Sequence, residues 1–261
     1  MPFSSQDPRL YYVREGTGPN LVLIHGVGSQ HGDWDGVVRA LNGRFSILRY
    51  DLRGHGASAA PEGPYEIEDF TADLKTLMDE LDLGQAHVAG FSLGGLIAQS
   101  LALTHPERIN ALALLGTVAG RTPEERARVE GRLDYIATSH PADYFDQSVS
   151  RWFTAGFQAA HPEIVAARKA AVTAMDGAAY AAAYHALATT DFADRLSEIA
   201  HRTLVATGEE DIGSNPRMAR FMADAIANSR LEILSGLRHS ILLEAPDRVA
   251  GLLSEFFAET I

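Results

Sequence analysis

The sequence predicts an α/β protein built on a mostly parallel, doubly wound sheet, with a helical segment inserted between two strands. Three observations predict it. Short apolar runs alternate with helix-period patterns from the N-terminus onward. Residues 119–198 break that alternation and hold no strand pattern. A serine, Ser92, stands between Gly90 and Gly94 where a strand pattern meets a helix pattern.

The elements follow in order. Residues 9–16 (RLYYVREG) and 20–26 (NLVLIHG) read as strands, the second apolar enough to be buried on both faces. Residues 45–51 (FSILRYD) form the next strand, followed by a helix over 66–83 in which Ile67, Phe70, Leu74, Leu77, Met78 and Leu81 recur at helical spacing. A strand at 86–91 (AHVAGF) runs into a helix at 93–105 that stops before Pro106. Strands at 109–117, 202–208 and 230–236 complete the sheet, with helical patterns near 215–227 and at 246–259. The inserted stretch is rich in alanine and carries aromatics from Tyr135 to Tyr184. These features divide the chain into a core of residues 1–118 and 199–261 and a helical cap of residues 119–198. A cap belongs over the carboxyl ends of the strands, where ligands of open α/β sheets bind.

Composition narrows the function. The 261 residues are 46% hydrophobic and 21% charged, with a net charge of −12, which argues against nucleic acid or an anionic membrane as partner. No cysteine is present, so thiolate catalysis, disulfides and cysteine metal sites are excluded. The N-terminus has no basic segment followed by an apolar one, and no apolar run reaches membrane-spanning length, which predicts a cytoplasmic protein. The histidines at 31, 87, 105, 140, 161, 185 and 201 lack metal-ligand spacing and read as structural or solvent-facing. The glutamates of 124–130 read as a solvated helix face, and Asp73 with Lys75 as surface charge.

The serine between glycines has a physical reading. A strand passing into a helix across one residue strains that residue's backbone, and side chains two positions either side would collide. Glycine at both places relieves the crowding and leaves an exposed hydroxyl at a helix N-terminus, the nucleophile elbow Gly-x-Ser-x-Gly. A serine nucleophile needs a base oriented by a carboxylate. After the strand at 202–208 stand Glu209, Glu210 and Asp211, and after the strand at 230–236 stands His239. Asp211 is preferred because it lies deepest in its loop, giving the catalytic set Ser92, Asp211 and His239. The oxyanion donors are the amide of Leu93, directly after the serine, and that of Val27 in the loop HGVG (25–28), read as the loop after the third strand. His25 is expected to hold this loop through hydrogen bonds, and the turn Arg53 to Gly56, with His55, to be architecture.

The stretches LIHGVG, YDLRGHGAS, GFSLGG, TGEED and RHSILLEAPD stand in the order and spacing of the landmarks of the α/β-hydrolase superfamily, which the chain resembles from end to end. Within it, LRYDLRGHGASAAPEGPYEIEDF (48–70), VSRWFTAGFQAAHPE (149–163) and AAYAAAYHALATTDF (178–192) are most similar to the 3-oxoadipate enol-lactonases. One departure is that such enol-lactonases often carry Asn-Ser where this chain has His25-Gly26. The resemblance implies hydrolysis of a small anionic lactone, in the catabolism of aromatic compounds, with no metal and no organic cofactor. A free carboxylate on the substrate then calls for a cation, and Arg151 with Trp152 is the first choice; a dicarboxylate would need a second, for which Arg168 or Arg195 serves. Two other functions fit the same residues. One is a related hydrolase cleaving a C–C or C–N bond of a keto or enamide acid, and the other is a small-molecule receptor that keeps a hydrolase pocket.

Overall fold

A computed structural model describes residues 3–139 and 141–258. His140, the first two residues and the last three, over which parts of the sequence reading run, lie outside the described residues. Seven strands form one sheet: β1 (Tyr12–Glu15), β2 (Asn20–Ile24), β3 (Ser46–Tyr50), β4 (Ala86–Phe91), β5 (Ile109–Leu115), β6 (Thr203–Gly208) and β7 (Ser229–Leu234). Their order is β1-β3-β2-β4-β5-β6-β7, with β1 antiparallel to β3 and every other pair parallel. This is the mostly parallel α/β sheet expected. The loop of His25 to Gly28 follows β2, the second strand of this chain.

Alternation along the strands sends apolar side chains to both faces. Val22 and Ile24 of β2 join a core on one side with Leu112 and Leu114 of β5. Leu21 and Leu23, with Ala111, Ala113 and Leu115, join the core on the other side. Burial on both faces is the reason these strands read as unbroken apolar runs.

Helices cover both faces. On the first lie α2 (Ile67–Glu80) and α3 (Leu93–Thr104), joined by a hydrogen bond from Thr71 Oγ1 to Ser100 Oγ of 2.8 Å, with α9 (Pro216–Ala225) beside them. On α2 the anticipated Ile67, Phe70, Leu74, Leu77 and Met78 are buried, and Glu66 and Asp69 form a capping box at its start. On the other face lie α1 (Asp35–Leu41), α10 (Ile241–Glu244) and α11 (Pro246–Ala258). The sequence reading did not foresee α1: it has seven residues, and only Val37 and Leu41 are buried, too few turns for a periodic signal.

Between β5 and β6 the chain forms α4 (Pro123–Thr138), α5 (Pro141–Trp152), α6 (Ala155–Ala160), α7 (Pro162–Thr173) and α8 (Gly177–Thr189). These helices share an apolar cluster of Ile136, Tyr144, Phe145, Phe153, Val172, Tyr180, Tyr184 and Ala188, against which Val27 and Leu243 of the sheet side also pack. Helix α8 faces two ways, because its Ala182, Ala183 and Ala186 belong to the core of the sheet.

Two charge readings need correction. Asp73 is not surface charge: it is buried and takes two hydrogen bonds from the Arg53 guanidinium, at 2.7 and 2.8 Å. Its partner stands twenty residues away, across a turn that sequence spacing does not reveal. Within the glutamates of 124–130, Glu125 is likewise not free in solvent. It accepts from the Thr122 amide at 2.8 Å and from Asn215 at 2.7 Å, and it pairs with Arg217.

Candidate active site

Ser92 sits between β4 and α3 with φ of 55°. A left-handed serine is strained, and three contacts hold it there. Its amide donates to the Leu115 carbonyl at 2.9 Å, its carbonyl accepts from the Thr117 hydroxyl at 2.8 Å, and the Gly95 amide closes on the same carbonyl at 2.9 Å. The flanking glycines are required by space. A Cβ on Gly90 would lie 2.1 Å from the Gly94 carbonyl oxygen, and one on Gly94 would lie 2.3 Å from that of Ile24. Gly26 plays the same part from the opposite loop: a Cβ there would lie 2.8 Å from the Ser92 Cβ.

Asp211 and His239 come together from loops after β6 and β7. The His239 Nδ1 lies 2.6 Å from Asp211 Oδ2. The other carboxylate oxygen accepts from the amides of Gly213 and Ser214 at 2.8 and 2.9 Å. Burial alone would push this carboxyl up; the His239 ring beside it and the two amides outweigh that and hold it below its ordinary value. A carboxylate only accepts, so Nδ1 carries a proton and Nε2 is the ring nitrogen turned away from Asp211. The two glutamates before Asp211 are engaged elsewhere, Glu209 with Ser235 and the Gly236 amide, Glu210 with Arg238. Ser92, Asp211, His239 and Val27 line one cavity of about 230 Å³.

Val27 and Leu93 were the expected oxyanion donors. Among the described residues neither amide finds an acceptor, and Leu93 is the first residue of α3, where the helix offers none. The loop that carries Val27 is fixed by two buried histidines. His25 Nδ1 is 2.8 Å from the Gly26 carbonyl, and its Nε2 accepts from the Leu52 amide at 3.0 Å. His55 repeats the pattern, with Nδ1 2.9 Å from the Arg53 carbonyl and Nε2 accepting from the Gly28 amide at 3.0 Å. Both rings are therefore neutral. Burial is the first cause, lowering His25 to about 3 and His55 to about 4.

The inserted helices close the cavity. Arg151 and Trp152, at the end of α5, both line it. The Arg151 guanidinium donates to Ser148 Oγ at 2.5 Å, and Trp152 packs edge-on to Tyr144 and Phe145 at 5.8 and 5.5 Å. The backbone here has its own task. The Trp152 carbonyl accepts from the Ser240 amide at 2.9 Å, Arg238 donates to the carbonyls of Ser150 and Phe153, and Thr154 donates twice to Glu244 at 3.0 and 2.6 Å. The RWFT stretch thus straps α5 to the loop of His239.

The two candidates for a second cation separate. Arg195 is exposed, pairs with Glu198, and is absent from the cavity wall, so it is not the second cation there. Arg168 lines the cavity, donates to the Gly28 carbonyl, pairs with Asp33 at 3.6 Å and lies 5.9 Å over the Trp152 ring. The sequence reading passed over other residues of the wall: Arg121, Arg128, Arg132, Tyr144, Tyr180 and Tyr184. Arg121 closes the C-terminus of α8, donating to the carbonyls of Leu187 and Thr190 at 2.6 and 2.7 Å. The i,i+4 spacing of Arg128 and Arg132 on one helical face was the available signal. Among the described residues no group of three or more His, Asp or Glu side chains is placed to hold a metal, and no helix is long and apolar enough to cross a membrane.

Comparison with known proteins agrees with this geometry. A family model described as the alpha/beta hydrolase fold matches residues 19–246. The chain is 31% identical to 3-oxoadipate enol-lactonase 2 of Acinetobacter baylyi, over 88% of this chain and 86% of that one. It is 30% identical to (E)-2-((N-methylformamido)methylene)succinate hydrolase of the same organism, over 98% and 97%. Among solved structures, the enol-lactonase from Burkholderia xenovorans LB400 superposes with a TM-score of 0.92 at 32% identity, over 98% of this chain and 100% of that one.

Proposed function

The chain belongs to the α/β hydrolase fold family and is a hydrolase, and from that premise we propose that it cleaves a small carboxylate-bearing lactone or ester through an acyl-enzyme on Ser92. The observation that carries this reading is the 2.6 Å pairing of His239 with Asp211 on the wall of the cavity that Ser92 also lines. The leading substrate is 3-oxoadipate enol-lactone, by similarity to the enol-lactonases.

Free Nε2 of His239 takes the proton as Ser92 Oγ attacks the lactone carbonyl carbon. The resulting oxyanion accepts from the amides of Leu93 and Val27; losing one such donor typically costs about 10²–10³ in turnover. The ring C–O bond breaks, and the departing enolate takes the proton back from His239. A water that gives its proton to His239 then attacks the acyl carbon, and Ser92 leaves as the hydroxyl. Asp211 fixes the imidazole tautomer and stabilises the imidazolium in both halves. Arg151 is the anchor of the substrate carboxylate, with Trp152 beside it.

A second reading keeps the serine, base and acid but cleaves a C–C or C–N bond of a keto or enamide acid. The observation favouring it is the number of arginines on the wall, five, which is more than one carboxylate requires. Hydrolysis of 3-oxoadipate enol-lactone, followed by ultraviolet absorbance with Ser92→Ala as control, decides between the two. Serine-dependent loss of the lactone supports the first. An inert lactone alongside serine-dependent cleavage of an aryl ester discards it.

A further inference from the structure

Beside the serine cavity, between α4 and α5, lies a recess of about 280 Å³ walled by Arg128, Arg132, Arg151, Tyr135, Gln147 and Ser148, with Tyr144. It adjoins the serine cavity, and Arg128, Arg132, Tyr144 and Arg151 line both. The two walls are tied together where Gln147 donates to the Tyr135 hydroxyl at 2.7 Å. The charges of Arg132 and Arg151 both oppose the upward push that burial gives the Tyr184 hydroxyl on the wall of the serine cavity.

The charge balance of this recess differs from that of the rest of the chain. Acidic residues outnumber lysine and arginine by 34 to 22, and many arginines elsewhere find carboxylates, as Arg49 does with Glu15 and Asp35, Arg53 with Asp73, and Arg230 with Glu232 and Glu255. Among the described residues, none of Arg128, Arg132 and Arg151 makes an ion pair with a carboxylate; Arg128 donates only to the Glu124 carbonyl, at 3.2 Å, and Arg151 to Ser148. Three like charges around one hollow repel each other unless an anion sits between them. Guanidinium forks match carboxylate and phosphate oxygens in pairs.

We propose that this recess is a second anion subsite, so that the substrate carries two acidic groups besides the bond that is cleaved; this is one more than 3-oxoadipate enol-lactone has, and a filled subsite therefore points to a more acidic substrate of the same hydrolase. This rests on the reading of Arg151 as a carboxylate anchor and extends it: Arg151 stands between the two cavities, and Arg128 with Arg132 hold the outer acidic group. That group is a carboxylate or a phosphate, held where the arginines remain in reach of solvent. The cleaved carbonyl then lies at Ser92, and the substrate spans from the serine to the gap between α4 and α5.

The test is calorimetric titration of the protein with three anions: glutarate, propane-1,2,3-tricarboxylate and 2-(phosphonomethyl)pentanedioate. The subsite predicts that one of the latter two binds at least about tenfold more tightly than glutarate, a difference of one good charged hydrogen-bonded contact. A gain for the tricarboxylate identifies a carboxylate, and a gain for the phosphonate alone identifies a phosphate. The gain disappears in Arg128→Gln/Arg132→Gln and is largely kept in Arg132→Lys. It is kept in Arg126→Gln, which removes a charge from the same helix but outside the recess, so a general electrostatic field is distinguished from a site. Equal affinities for all three anions, or a gain that survives the double substitution, would overturn the proposal. Binding does not need turnover. A protein that binds the tricarboxylate yet hydrolyses nothing contradicts the reading of Ser92 and leaves the subsite standing.

Discussion

Around Ser92 the backbone leaves no room for another arrangement. A Cβ at Gly90 or Gly94 meets a carbonyl oxygen at 2.1 or 2.3 Å, and the serine amide and carbonyl are both bonded to β5 and the turn after it. Around Arg151 the same chain builds with side chains. The guanidinium rests on Ser148, and the helix is strapped to the His239 loop through Arg238, Ser240 and Glu244. The corner is set by steric exclusion between backbone segments, Gly90 against Gly94 and Gly94 against Ile24, whereas the wall of inserted helices is set by side-chain partners as far as 140 residues apart. On the proposed function, the chemistry is held on the sheet and the choice of substrate falls to long side chains of the insertion.

Substitutions can break that contrast, and the largest effect falls on the sheet side. Asp211→Asn keeps the shape but presents the wrong hydrogen-bond partner to His239 Nδ1. It lowers kcat by about 10⁴ with the thermal midpoint little changed, as steady-state kinetics and a melting curve will show. Next, Gly94→Ala forces a methyl into the carbonyls of Ile24 and His25, neither of which can give way. It destabilises the fold by about 3 kcal/mol, read from the urea midpoint. If instead the variant folds with normal stability, the corner is softer than the geometry implies.

The loop of His25 to Gly28 gives a pH test. His25, at about 3, and His55, at about 4, are held below the ordinary histidine value of 6.5 because they are buried as neutral acceptors, and His87, also buried, lies at about 4. The unfolded chain takes up these protons first. Stability is therefore complete above pH 6.5 and falls as the pH drops from there toward 4, by up to about 1.4 kcal/mol per pH unit for each histidine. Denaturant midpoints between pH 7 and pH 4.5 measure the slope, and His87→Phe removes one share of it. A stability flat to pH 5 would contradict the neutral pairings.

On the inserted helices the effects are smaller and belong to binding. Arg151→Gln raises KM for an anionic lactone by about 10- to 100-fold, the loss of one charged hydrogen-bonded contact, and leaves kcat nearly unchanged. Arg195→Gln, on the exposed ion pair with Glu198, leaves both constants as they are.

The same contrast explains what the sequence made legible. The strands, the longer sheet-facing helices and the serine motif follow from periodicity and from a residue pattern read within a few positions, whereas the seven-residue α1 leaves no periodic signal. The loops of Asp211 and His239 were found because each follows a recognisable strand, and the choice among Glu209, Glu210 and Asp211 rested on depth alone until the structure showed where each carboxylate goes. Asp73 and Glu125 were misjudged because folding brings in their partners, Arg53 for the first and Asn215 and Arg217 for the second, and Arg195 because the fold places it away from the cavity. In the insertion no sheet register fixes which way a side chain faces, so the pairing of Arg128 and Arg132 at i,i+4 carried no direction until α5 was seen beside α4.

The central claim is that Ser92 is a nucleophile made reactive by His239. A phosphonofluoridate that labels activated serines, followed by peptide mass spectrometry, tests it without any knowledge of the substrate. One adduct is expected, on Ser92, lost in His239→Ala while the variant remains folded. No adduct on the intact protein, or an adduct on another serine, would contradict it.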